Sequence, residues 1–185
     1  INIKNKDNNM KKLLLIIYLL GTCIVVSGQE NNVFKKGYRG DVSMGGIIGV
    51  NKDVRNDAVS LSTTHGYSYG DGFYIGAGAG VNILFSEGVT IPVFAVGKYN
   101  FIDNNISPFV DCRIGAEILI QDEDSGIAFI TSPGFGIDFR KLTLRAAYLC
   151  EAGRFTENYH QSSYSGTVIS LFKSHSFQIT MGISF

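Results

Sequence analysis

The chain has 185 residues, enough for one domain. It is 45% hydrophobic, only 17% charged, rich in glycine and neutral overall. No block of basic residues exists, so the electrostatic footprint of a nucleic-acid binder is missing.

The N-terminus reads as an export signal. Ile1 to Asn9 is polar and precedes Met10, the expected start. Lys11 and Lys12 form a positive region, and Leu13 to Leu20 an apolar one. Val26-Ser27-Gly28 offers the small side chains that a signal peptidase needs. Residues 1–28 are therefore expected to be leader, and residues 29–185 the mature domain. The apolar run is short of the roughly 20 residues of a spanning helix. Processing as a lipoprotein at Cys23 is the alternative, disfavoured by Thr22 just before it.

From Gly37 onward the chain alternates with a period of two, and no helical period is sustained. The first strand-like segment, Gly37–Val50, puts Tyr38, Val42, Met44, Ile48 and Val50 on one face. After a polar loop comes Ala58–Tyr67, with Val59, Leu61, Thr63, His65 and Tyr67 on one face. Ser68–Gly72 is a turn. The third segment, Phe73–Phe85, sets Phe73, Ile75, Ala77, Ala79, Val81 and Ile83 against Tyr74, Gly76, Gly78, Gly80 and Asn82. The fourth runs Val89–Phe101, with Val89, Ile91, Val93, Ala95, Tyr99 and Phe101 against Thr90, Pro92, Phe94, Val96 and Lys98.

In the fifth segment, Ser107–Ile120, Val110, Cys112, Ile114, Ala116 and Ile118 face away from Phe109, Asp111, Arg113, Gly115 and Glu117. Asp122-Glu123-Asp124 is an acidic loop tip. The sixth, Gly126–Arg140, opposes Phe129, Phe135, Ile137 and Phe139 to Ser132, Asp138 and Arg140. The seventh, Lys141–Glu151, opposes Leu142, Leu144, Tyr148 and Cys150 to Thr143, Arg145 and Glu151. Residues 152–174 read as the longest connection, with Thr167–Phe172 extending the last hairpin. In the closing segment Phe177, Ile179, Met181, Ile183 and Phe185 alternate with Gln178, Thr180, Gly182 and Ser184.

Eight such segments joined as hairpins predict an all-β, eight-stranded antiparallel up-and-down barrel. The pattern leaves an ambiguity, because a soluble barrel also alternates, with its apolar face inside. Four features favour lipid outside and hence a transmembrane barrel. The chain carries a leader. Its polar face is mostly small rather than rich in Lys and Glu. Its apolar face is almost free of charge. Tyr38, Tyr67, Phe73, Tyr99, Phe101, Phe139 and Phe185 fall near one rim, as an aromatic girdle does.

Eight strands enclose a lumen just wide enough for side chains to fill. Its expected charges are Arg39, Asp41, Lys98, Asp111, Arg113, Glu117, Asp138, Arg140, Arg145 and Glu151, in equal numbers of each sign. Enclosed charges need partners. Asp111, Arg113, Glu117, Arg145 and Glu151 are expected to form one network. Cys112 and Cys150, two strands apart, are expected to remain free thiols.

These residues carry a resemblance. The leader, the strand pattern, Gly76-Ala77-Gly78-Ala79-Gly80-Val81-Asn82, Ile91-Pro92-Val93-Phe94-Ala95, Ile106-Ser107-Pro108-Phe109-Val110-Asp111 and the terminal Phe are similar to the outer-membrane β-barrel domain family of OmpA- and OmpX-type barrels, porin-like proteins of gram-negative envelopes. The resemblance implies a monomeric barrel in the cell outer membrane, with periplasmic termini, surrounded by lipid bilayer and lipopolysaccharide. It also implies delivery by the barrel assembly machinery, which reads a closing strand such as Phe177, Ile179, Met181, Ile183 and Phe185. Fold does not settle function. A structural or surface-interaction role with a filled lumen is the first expectation, a narrow channel for small solutes the second, and a lipid-modifying enzyme the third.

Catalytic and ligand signals are weak. Gly76, Gly78 and Gly80 lack dinucleotide-loop spacing, and no helix follows. His65, His160 and His175 show no metal spacing. His160 and Ser162, with Glu157 nearby, are similar to the His-x-Ser pair of lipid-A deacylases, but a loop full of polar residues brings such groups together by chance. Neither an enzyme nor a cofactor is expected. Asp122-Glu123-Asp124 reads as a solvated loop tip.

Overall fold

The structure is a computed structural model, and it describes residues 34–50, 57–85, 88–121, 124–161 and 164–185. The expected leader, its cleavage point and Cys23 lie outside the described residues, as do Asp122, Glu123 and Ser162.

Eight strands form: β1 (Gly37–Gly49), β2 (Ala58–Ser68), β3 (Phe73–Leu84), β4 (Gly88–Asn100), β5 (Ile106–Gln121), β6 (Asp124–Phe139), β7 (Leu142–Gln161) and β8 (Tyr164–Ser184). Each pairs antiparallel with the next, and β8 pairs with β1, so the sheet closes on itself. The eight-stranded up-and-down barrel expected from the alternation is what the chain adopts.

The register shows how the wall leans. A path along paired residues from Gly40 runs through His65, Ala77, Ala95, Ile114, Thr131, Cys150 and His175. It returns to β1 at Val50, ten residues further on, where the Val50 amide donates to the His175 carbonyl. A stagger of ten over eight strands tilts them by about 40° and gives a radius of roughly 8 Å. That radius leaves room for side chains and little else.

Two prolines interrupt the ladders without shifting them. Pairing between β3 and β4 skips from Ala79–Val93 to Asn82–Thr90, and Pro92 falls in the gap. Pairing between β6 and β7 skips from Thr131–Cys150 to Gly134–Ala147, around Pro133. Proline has no N–H to donate, so the ladder lapses there and resumes in register.

Two expectations need correction. Residues 152–174 are not a loop. β7 and β8 continue as one long hairpin, paired as far as Gln161–Tyr164. The apolar alternation fades beyond Ala152, and with it the sequence signal, but backbone pairing in water needs no apolar face. Arg140 does not enter the lumen either. β6 and β7 are joined by a two-residue turn between Phe139 and Leu142, and Arg140 occupies it with φ of 55°. Such turns require positive φ, which ends the alternation one residue early and leaves Arg140 exposed.

Candidate functional site

Among the described residues, buried polar side chains gather in the lumen, and the strands arrange them in layers. The first layer lies at the end where β1 begins and β8 ends. Its centre is Asp138 on β6, which is fully buried. Lys98 of β4 donates to both carboxylate oxygens at 2.8 Å. Arg39 of β1 donates at 3.0 Å, Asn100 of β4 at 2.9 Å and Thr143 of β7 at 2.8 Å. Arg39 also reaches Ser184 on β8, and Asn100 reaches Ser107 on β5. One carboxylate thereby ties together the rim of most of the barrel. Lys98 also lies 3.8 Å from the centre of the Phe109 ring, a cation–π contact.

The second layer is built on Arg145 of β7 and Asp111 of β5. The Arg145 Nε donates to the two Asp111 oxygens at 3.0 and 2.8 Å. Its remaining nitrogens donate to Gln178 Oε1 at 3.0 Å and to the Ser132 carbonyl at 2.8 Å. Arg113 approaches Asp111 at 3.7 Å and covers the Phe94 ring at 4.9 Å.

Above this the filling turns apolar. Ile47, Phe94, Val96, Ile130 and Leu149 are buried in one cluster with Ala58, and Tyr74, paired with Lys98, joins it from the first layer. Inward glycines on β3 make room for the rings. A Cβ on Gly78 would lie 2.7 Å from the Phe94 ring, and one on Gly76 2.5 Å from the Tyr74 hydroxyl. The glycine run is therefore a matter of packing, as its spacing implies. At the far end Asn82 donates to Thr90 at 3.0 Å and to Glu117 at 3.5 Å. Glu151 is buried at the same end.

The single network expected of Asp111, Arg113, Glu117, Arg145 and Glu151 is thus divided. Asp111, Arg113 and Arg145 meet; Glu117 stands beyond an apolar layer and bonds to Asn82. Asp138 and Lys98 form the tighter centre. Uncharged partners such as Asn100, Thr143 and Gln178 were readable only as inward-facing polar positions. Their role as ligands to Asp138 and Arg145 needs the register between strands.

The outer face is the opposite of the lumen. Tyr38, Tyr67, Phe73, Tyr99, Phe101, Phe139 and Phe185 are all exposed near the terminal rim. Tyr99 meets Phe101 edge-on at 5.4 Å, and His65 stacks on Tyr38 at 6.1 Å. Phe177, Ile179 and Met181 are exposed along β8. Phe185 exchanges two backbone hydrogen bonds with Gly40, and its ring fills the space that a side chain at Gly40 would need. The last residue is therefore a closing contact between β8 and β1.

Along β7 the outward positions from Leu142 to Ala152 carry no charge. With the tilt included, that run spans roughly 25 Å of barrel height. Lys141 and Arg140 lie just beyond one end, and Arg154 and Lys173 beyond the other.

Cys112 and Cys150 lie on β5 and β7 as free thiols, with β6 between them. Among the described residues no group of three or more His, Cys, Asp or Glu side chains is placed to hold a metal ion. Glu157 and His160 fall on β7, and their pairing with Ser162 lies outside the described residues.

The fold is similar to that of Neisserial surface protein A, at 10% identity and a TM-score of 0.52, covering 82% of this chain and 99% of that one. The N-terminal β-barrel domain of Pseudomonas aeruginosa OprF aligns at 12% identity and a TM-score of 0.48, covering 82% of this chain and 100% of that domain. At these identities the likeness concerns the fold alone. The sequence matches no protein-family model and no curated protein.

Proposed function

We propose that the chain is an integral outer-membrane barrel with a side-chain-filled lumen, acting as a scaffold that carries the β7–β8 hairpin outside the cell. The observation that carries this reading is the uncharged outer belt. Its height of roughly 25 Å equals the apolar band of transmembrane barrels, and charges begin only beyond it. An apolar exterior around a charged interior is the arrangement that lipid demands and water does not. Aromatic residues near the terminal rim suit a membrane interface, where amphipathic rings settle.

In this reading the chain is a monomer surrounded by lipid and lipopolysaccharide, with its termini in the periplasm. The β8 residues Phe177, Ile179, Met181, Ile183 and Phe185 serve as the segment read by the assembly machinery. The lumen is a strut rather than a reaction chamber or a pore, and the chain is not an enzyme. Support for this lies in the three packed layers, where Asp138 and Arg145 are saturated with partners and Phe94, Ile130 and Leu149 lie beyond them.

The test is planar-bilayer recording with refolded full-length chain. Folding is verified first by a gel mobility that changes on boiling. A verified barrel is expected to insert and stay electrically silent. Stable, salt-dependent steps would replace the strut with a narrow channel for small solutes.

A further inference from the structure

The outer surface carries a depression that the scaffold reading does not use. It is a groove of about 600 Å³ at the foot of the projecting hairpin, where β6, β7 and β8 meet. Ala152 and Gly153 lie along it, Ile127 and Leu171 give it apolar sides, and Arg154 and Lys173 stand beside it. Its place follows from the register. Ala152 faces Lys173 across the β7–β8 ladder, and Arg154 faces Leu171 on one side and Ile127 on the other. The small side chain at Ala152 leaves the gap that larger neighbours enclose.

Charge marks this groove out. Among the described strand positions that face outward between the two rims, Arg154 and Lys173 are the charged ones, and both are exposed. They sit next to each other on neighbouring strands, on the same face, at the upper limit of the uncharged belt. Below them lie Phe129, Cys150, Tyr148 and Phe177, with Thr131 beside Cys150 and the His175 ring stacked on Tyr148. A cation pair directly above an apolar slot matches a molecule with a negative head and a hydrocarbon tail.

We propose that this groove is a binding site for a membrane phospholipid of net negative charge. One acyl chain lies against Ile127 and Leu171 over Ala152, and the phosphate is held between the Arg154 guanidinium and the Lys173 ammonium. The inference rests on the membrane reading above, because it places the two cations at headgroup depth. Arg suits this task, since its planar fork offers paired donors to phosphate oxygens. The site also gives the barrel a fixed depth, with the lipid headgroup as its reference.

The test uses the full chain refolded in a nonionic detergent, with folding checked by the gel shift and membrane insertion checked by flotation with vesicles. Phosphatidylglycerol and phosphatidylcholine with identical acyl chains are then compared by native mass spectrometry. Phosphatidylglycerol is expected to be retained more strongly, and each of Arg154→Gln and Lys173→Gln to lower its retention by about fivefold. Ala152→Phe fills the slot and is expected to lower retention of both lipids, whereas Ala146→Phe, lower on the same outward face, leaves it unchanged. Equal retention of the two lipids would overturn the site. So would a double variant that keeps the preference, or displacement of the lipid by inorganic phosphate, which would mark a site for a free anion. A chain that floats with vesicles yet shows no preference loses the groove alone; a chain that fails to insert loses the membrane reading as well.

Discussion

The closed belt and the projecting hairpin are made of the same strands under different rules. Within the belt every strand has two neighbours. Above it, β8 loses β1 beyond Gly49–Ser176, and β7 loses β6 beyond Ser125–Thr156, while the two continue together to Gln161–Tyr164. An unpaired backbone group in hydrocarbon costs several kcal/mol, so the belt can exist in lipid only because it has no edge. The upper hairpin has edges on both sides, which water can satisfy. The interiors differ in the same sense. The belt encloses charges that must find partners among themselves, whereas the hairpin has no inside.

The belt is therefore the region to break from within, and Asp138→Asn is the largest single insult. The substitution keeps the shape but takes from the part-buried Arg39 and Lys98 the carboxylate that both bond to, leaving Asp41 as their remaining counter-charge. Removing one member of a buried pair costs about 3–5 kcal/mol. The expected result is a large fall in the urea concentration at which the heat-modifiable band disappears. An unchanged midpoint would mean that the Asp138 cluster does not hold the rim. Asp111→Asn should cost less than Asp138→Asn, since Arg145 keeps Gln178 and Ser132 as partners.

A smaller effect is expected from Gly78→Ala. The added methyl meets the Phe94 ring on one side and the Thr63 carbonyl, 2.6 Å away, on the other. The ring can yield but the backbone cannot, so overpacking should cost about 1–3 kcal/mol. Phe94→Leu in the same chain should recover part of the loss. A double variant no more stable than Gly78→Ala alone would show that the ring is not what the glycine accommodates.

Most of the belt was legible in the sequence, and the reason is physical. An exposed apolar wall around packed side chains imposes a strict period of two, and Phe73 to Phe85 or His175 to Phe185 display it almost without exception. Legibility failed where one of the two environments ends. Beyond Ala152 the sequence stops alternating apolar with polar residues, so the strand continued without an apolar signature. At Arg140 a turn requiring positive φ cut the alternation short, which parity alone could not show. Inside the lumen, parity identified which residues face inward but not how high each one sits. Glu117 and Arg113 are four residues apart on β5, enough to place the apolar layer between them. That height depends on the stagger of ten residues, a property of all eight ladders together.

The smallest expected effect sharpens the comparison most. Replacing residues 158–167 with Asn-Gly leaves Glu157 and Val168, which face each other across the hairpin, as its last pair. Asn-Gly closes a two-residue hairpin turn without strain. Every residue of the belt, its lumen clusters and the Gly40–Phe185 contact are untouched. If stability resides in the closed belt, the unfolding free energy from urea titration should stay within about 0.5 kcal/mol of the parent, as for changes remote from buried contacts. Insertion into vesicles and the mobility shift on boiling should also persist. A loss of several kcal/mol would mean that the hairpin supports the barrel below it, and the division into a self-sufficient belt and a water-borne projection would fail.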